Sequence, residues 1–69
     1  MAKINLNMIK DRRKRLGFTY AEMASELGLS GPEKYYRREN GDYNFKATEL
    51  PSLARKLNFS LNDIFLIKN

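Results

Sequence analysis

The sequence predicts an all-α domain of five short helices, on three observations. Apolar residues recur at intervals of three and four, the period of a helix with one buried face. Helix start and stop signals are dense, with Asn, Thr or Ser before the apolar runs and Gly after them. No stretch alternates apolar and polar residues in the way a half-buried strand does. With 69 residues, the chain is expected to form one domain over 1–69, near the lower limit at which a hydrophobic core suffices alone.

The elements follow in order. Met8, Ile9, Arg12, Arg13 and Leu16 outline a first helix, with Asn5 or Asn7 as its cap and Gly17 suited to the position after its end. Thr19-Tyr20-Ala21-Glu22 is a capping-box pattern and opens a second helix, carrying Met23, Ala24 and Leu27, that stops at Gly28. Ser30-Gly31-Pro32-Glu33 repeats that signal, with Pro near the first helical position, and predicts a third helix from about Pro32 to Glu39 that ends at Asn40-Gly41. After the loop DYNFK, a fourth helix contains Leu50, Leu53, Ala54 and Leu57. Pro51 is tolerable in its first turn if Thr48 is the cap, and removes a backbone hydrogen bond if the helix starts near Ala47. Ser60 is placed to cap a fifth, short helix from Leu61 to about Leu66.

Composition narrows the function. The chain has no cysteine and no histidine, which removes the commonest metal ligands and the commonest general base. Its eight scattered carboxylates show no paired arrangement, so a non-enzyme without metal or cofactor is expected. The net charge is +5, and four of those five charges fall in Met1–Gly41, which favours a polyanionic partner. No apolar run approaches the roughly eighteen residues that cross a bilayer, and no basic helix has the apolar breadth to lie on one. MAKINLNMIKD lacks the apolar stretch of a signal peptide, so a soluble, cytoplasmic protein is expected. The basic run Lys10 to Arg15 points all round its helix, so most of it reads as a solvated face.

Two short helices joined by LGLS have the form of a helix-turn-helix over about residues 19–40. Around it stand RRKRLGFTYAEMASELGLS, YYRRENG, Phe45, Glu49 and LARKLNFSLNDIF. In this order and spacing the chain resembles the Cro/phage-repressor-like (XRE) family of DNA-binding domains along nearly its whole length. That resemblance implies a lambda-repressor-like fold and a third helix that enters the major groove of double-stranded operator DNA, often in a symmetric dimer. It also implies a regulator encoded by a bacterium or phage. Two departures are visible. Tyr20 stands where the family usually has a Gln that helps hold a phosphate or support a base contact. The turn is one residue longer, with Gly31-Pro32-Glu33 at the usual base-reading start of helix three.

At 100° per residue, Glu33, Arg37 and Asn40 fall within about 60° of one another, Lys34 and Tyr36 flank them, and Tyr35, Arg38 and Glu39 lie on the other side. Arg37 is the expected base reader, since its planar fork matches guanine O6 and N7. Lys34 suits a base or a phosphate, Tyr36 lies toward the partner, and Glu33 either accepts from cytosine N4 or, as the favoured role, closes the capping box with Ser30. Tyr35 takes the place of an apolar core residue in the family and is expected to pack, with its hydroxyl near the edge. Phosphate contacts are expected from Tyr20, Ser30, Asn40, Tyr43 and Lys46, and as a lesser role from Arg38. The Arg38 stem should lie over apolar residues with its head in solvent. The resemblance implies a structural ion pair between Arg13 and Glu39, and a hydrophobic anchor at Phe45. Phe65-Leu66-Ile67 cannot all turn inward and is a candidate homodimer contact. The alternative function is an antirepressor or modulator that binds a partner repressor protein through Tyr20, Glu33, Tyr36 and Arg37, residue types common at protein hot spots.

Overall fold

The computed structural model describes residues 4–65. Four α-helices, α1 (Leu6–Leu16), α2 (Tyr20–Leu27), α3 (Pro32–Asn40) and α4 (Leu50–Leu57), alternate with short turns, two of which are 3-10 helical, Ala47–Glu49 and Leu61–Ile64. Asn5 caps α1 by accepting the Met8 amide at 3.1 Å. Thr19 caps α2: its hydroxyl accepts the Glu22 amide at 3.1 Å, and the Glu22 carboxylate accepts the Thr19 amide at 2.8 Å. Gly17, Gly28 and Gly41 close α1, α2 and α3 in the left-handed conformation, and Asn58 does the same for α4 at φ 61°. Asn tolerates that region better than most side chains.

The α2 capping box has a pH signature. The Thr19 amide holds the Glu22 carboxyl below its ordinary pKa, so the unfolded chain binds this proton more readily than the folded one. This contribution is complete above the unfolded pKa and disappears as the pH falls through the folded one. Urea titrations across the acid range should therefore show a flatter pH dependence for Glu22→Gln than for the native chain. Thr19→Ala should cost about 0.5–2 kcal/mol at neutral pH.

The third helix starts at Pro32 as expected, but its cap and the expected fifth helix are corrected. The Ser30–Glu33 capping box does not form, because Pro32 occupies the first position of α3 and Gly31 therefore becomes the cap, without a side-chain bond. Proline fixes φ and lacks an amide, so it is accommodated best at that first position. Ser30 is left one residue outside. Glu33 curls back over Gly31, where an added Cβ would stand 2.8 Å from Glu33 Oε1.

The expected fifth helix is a 3-10 turn over Leu61–Ile64. The Ile64 carbonyl accepts the Asn5 amide at 2.7 Å, and Phe65 turns to extended backbone and bridges Ile4. Pairing with the first part of the chain takes the group that another helical turn would have used. The rest of that expected helix, with Leu66 and Ile67 of the candidate dimer contact, lies outside the described residues; Phe65 itself is half-buried.

At α4 the structure combines the two alternatives. A 3-10 turn begins at Ala47, the Leu50 amide bonds the Ala47 carbonyl, and α4 takes over with Pro51 as its second residue. The missing proline amide thus falls in the first turn of α4, where no α-helical partner is lost. Leu50, Leu53, Ala54 and Leu57 then share one face at helical spacing. Ile9, Met23, Ala24, Tyr35, Leu53 and Leu57 form the buried core, with Phe18, Leu27, Leu29, Phe45 and Phe59 packed around it. Met8 is half-buried rather than central.

Candidate nucleic-acid interface

Three buried side chains hold α3 against the rest of the molecule and so decide which face it presents. Tyr35 is fully buried, with its ring 6.0 Å from that of Phe45 and 6.2 Å from that of Tyr20. Its hydroxyl is not at an edge, as expected, but buried near the Glu39 carboxylate without a well-formed hydrogen bond among the described residues. Burial, reinforced by that carboxylate, pushes the hydroxyl above the usual tyrosine range. Glu39 receives a two-pronged bond from Arg13, Nε to Oε2 at 2.8 Å and Nη2 to Oε1 at 3.1 Å. The third Arg13 nitrogen donates to the Phe18 carbonyl at 3.1 Å, and the guanidinium lies 4.4 Å from the Tyr20 ring centre. The bond to Glu39 raises the Arg13 pKa above its ordinary value.

Arg38 is placed differently from expectation. Its head is not in solvent: the residue is 8 % exposed, and Nε and Nη2 donate to the two Glu49 carboxylate oxygens at 2.9 and 3.2 Å. Nη1 donates to the Lys34 carbonyl at 3.1 Å. Three internal oxygens in a fork geometry satisfy the guanidinium, which lets its head be buried without a stranded charge. Glu49 also accepts the Lys46 amide at 2.9 Å, so this second buried pair ties the far end of the α3–α4 loop to α3.

With Tyr35, Arg38 and Glu39 turned inward, Glu33, Lys34, Tyr36, Arg37 and Asn40 are exposed. They span an arc of about 160° on the helix. Tyr36 meets Tyr20 edge to face at 5.3 Å, which joins the start of α2 to the outer side of α3. Arg37 lies 5.6 Å from the Tyr43 ring centre. Ser30, Tyr43 and Lys46 are exposed in the turns at the two ends of α3, whereas Tyr20 is half-buried. The structure therefore gathers Glu33, Lys34, Tyr36, Arg37, Asn40, Tyr43 and Lys46 around the outer face of α3 and its following loop, and takes Arg38 away from it.

A family model for the helix-turn-helix matches residues 9–64, from the core of α1 to the last 3-10 turn. The chain belongs to the XRE-type helix-turn-helix family of DNA-binding domains. Comparison with curated proteins finds no match. In this helix-turn-helix protein α2 and α3 are joined by four residues, Gly28 to Gly31. The Leu29 amide donates to the Ala24 carbonyl at 2.8 Å and its side chain packs on the core. These two contacts anchor the turn to α2 and to the core. Among the described residues no helix is long and apolar enough to cross a membrane.

The partners of two residues of the helix-turn-helix protein are not visible in its local sequence, although Arg12 and Glu49 both stand in the pattern. Glu49 is separated from Arg38 by eleven positions, and nothing local joins them. Arg12, hidden in the basic run, donates to the Leu57 carbonyl at 3.0 Å and lies 4.3 Å from the Phe59 ring centre. A signal for it existed: the Leu57-Asn58 ending exposes helix C-terminal carbonyls, which attract cations.

Proposed function

We propose that this chain is a small Cro- or repressor-type transcriptional regulator that reads operator DNA by inserting α3 into the major groove. The observation that carries it is the division of α3 into an anchored face and a polar, uncovered one headed by Arg37. Arg37 donates to guanine O6 and N7. Lys34 and Tyr36 flank it in the groove, with Glu33 at the helix start. Ser30, Asn40, Lys46 and Tyr20 border the phosphates. A dimer would place two such helices about 34 Å apart on one face of the duplex. In this reading the protein acts in the cytoplasm of a bacterial host, encoded by host or phage, and occupancy of the operator is itself the regulatory act.

The test is a random-oligonucleotide selection at near-physiological salt, repeated with Arg37→Ala. The native protein should enrich a palindromic site. The variant should bind that site about 1–3 kcal/mol more weakly and relax one base pair in each half. An identical preference in both proteins removes Arg37 from base reading.

One feature favours a second reading. The Tyr20–Tyr36 pair puts aromatic surface beside Arg37 and Glu33, a composition suited to a protein hot spot. A modulator that covers a partner repressor would use the same face. Absence of any enriched site, together with tight binding to DNA only alongside a second regulator, would select that reading.

A further inference from the structure

Within the proposed DNA-reading function, we infer that Tyr43 is the positioning residue for Arg37, acting through the face of its ring and not through its hydroxyl. Gly41 adopts φ 92°, a conformation that lets the chain reverse at once. Three successive amides then converge on one oxygen: Gly41, Asp42 and Tyr43 all donate to the Arg37 carbonyl, the last two at 2.8 and 3.2 Å. The loop is thereby folded back over the residue whose side chain is to read the base. The Arg38–Glu49–Lys46 connection holds the loop at its other end.

The consequence is the approach of the Tyr43 ring to within 5.6 Å of the Arg37 guanidinium. Arg37 is exposed and engaged in no ion pair among the described residues. Its long side chain would otherwise sample many rotamers, and ordering it on DNA opposes binding. An aromatic face attracts the guanidinium and limits the directions of its fork without consuming any of its five donors. A carboxylate partner would hold the arginine more firmly but would occupy the donors that a guanine needs. Tyr43 is itself 49 % exposed, so its ring contributes little to the core and is free to serve this purpose.

The experiment compares Tyr43→Phe and Tyr43→Leu with Arg37→Ala, by affinity for the selected operator and for its single-base variants, with thermal unfolding as a control. Tyr43→Phe keeps the ring and should keep affinity and specificity. Tyr43→Leu should lower operator affinity about two- to fivefold, and the loss should fall on the same base pair that Arg37→Ala relaxes, with unfolding unchanged. If Tyr43→Phe instead weakens all sequences equally, the hydroxyl contacts a phosphate and the positioning role is overturned. It is also overturned if Tyr43→Leu leaves discrimination at the Arg37 base pair intact. A native protein that selects no sequence, or an Arg37→Ala variant with unaltered preference, defeats the base-reading function itself, and the positioning role with it.

Discussion

Glu39→Ala is expected to remove about 3–5 kcal/mol of stability, the usual consequence of stranding one member of a buried ion pair. A domain of this length has roughly 3–10 kcal/mol in total, so the loss takes a large fraction of its stability. The side chains of Arg13 and Glu39 are only 8 % and 3 % exposed, and water cannot replace the lost carboxylate. Removal of Glu39 leaves two guanidinium donors facing Tyr20 and Tyr35, with only the Phe18 carbonyl still in place. The paired replacement Arg13→Met with Glu39→Leu should recover much of the loss, since the cost lies in the stranded charge and not in the absence of the bridge. Urea unfolding followed by circular dichroism measures both. A loss under about 1 kcal/mol for Glu39→Ala would class the pair with exposed, hydrated bridges and contradict the burial.

Glu49→Ala is the second large effect, again about 3–5 kcal/mol by the same physics, but with a different spatial signature. Glu49 holds Arg38 of α3 and the Lys46 amide together. Its loss should free the Asp42 to Lys46 loop before it unfolds the domain. Hydrogen exchange at 5 °C should show the Lys46 amide losing protection by more than the global change in stability accounts for, while the Thr19-capped start of α2 follows the global change alone. Equal protection loss at both places would mean that Glu49 serves general stability and does not hold the loop. The two pairs thus divide the work on α3: Arg13–Glu39 sets its inner face against α1, and Arg38–Glu49 fixes the loop beside its outer face.

The local pattern of this chain was readable residue by residue. The Thr19–Glu22 box, the glycine stops and the helical spacing of Leu50, Leu53, Ala54 and Leu57 act over four or fewer positions, and each carries its own chemical signature. The 100° step also separates Arg37 from Tyr35 and Glu39, while the resemblance to a family implied which of the two sides turns inward. Arg13 and Glu39, far apart in the chain, were connected only through the resemblance to a family. Two local signals compete at the start of α3. Ser30 and Pro32 both asked to start α3, and the stricter geometry of proline moved the cap to Gly31.

What only the tertiary structure decided are the contacts between residues distant in sequence. The Ile64 carbonyl turned to Asn5 in place of a further helical turn, and the Arg38 head turned inward to Glu49. The approach of Tyr43 to Arg37 depends on both the reversal at Gly41 and the anchoring of the loop at Glu49. A basic residue on a helix flank looks the same in sequence whether its partner is water or a carboxylate eleven positions away. Packing settles that choice, because a carboxylate enclosed with apolar side chains must find a cation, whereas one in water has no such need.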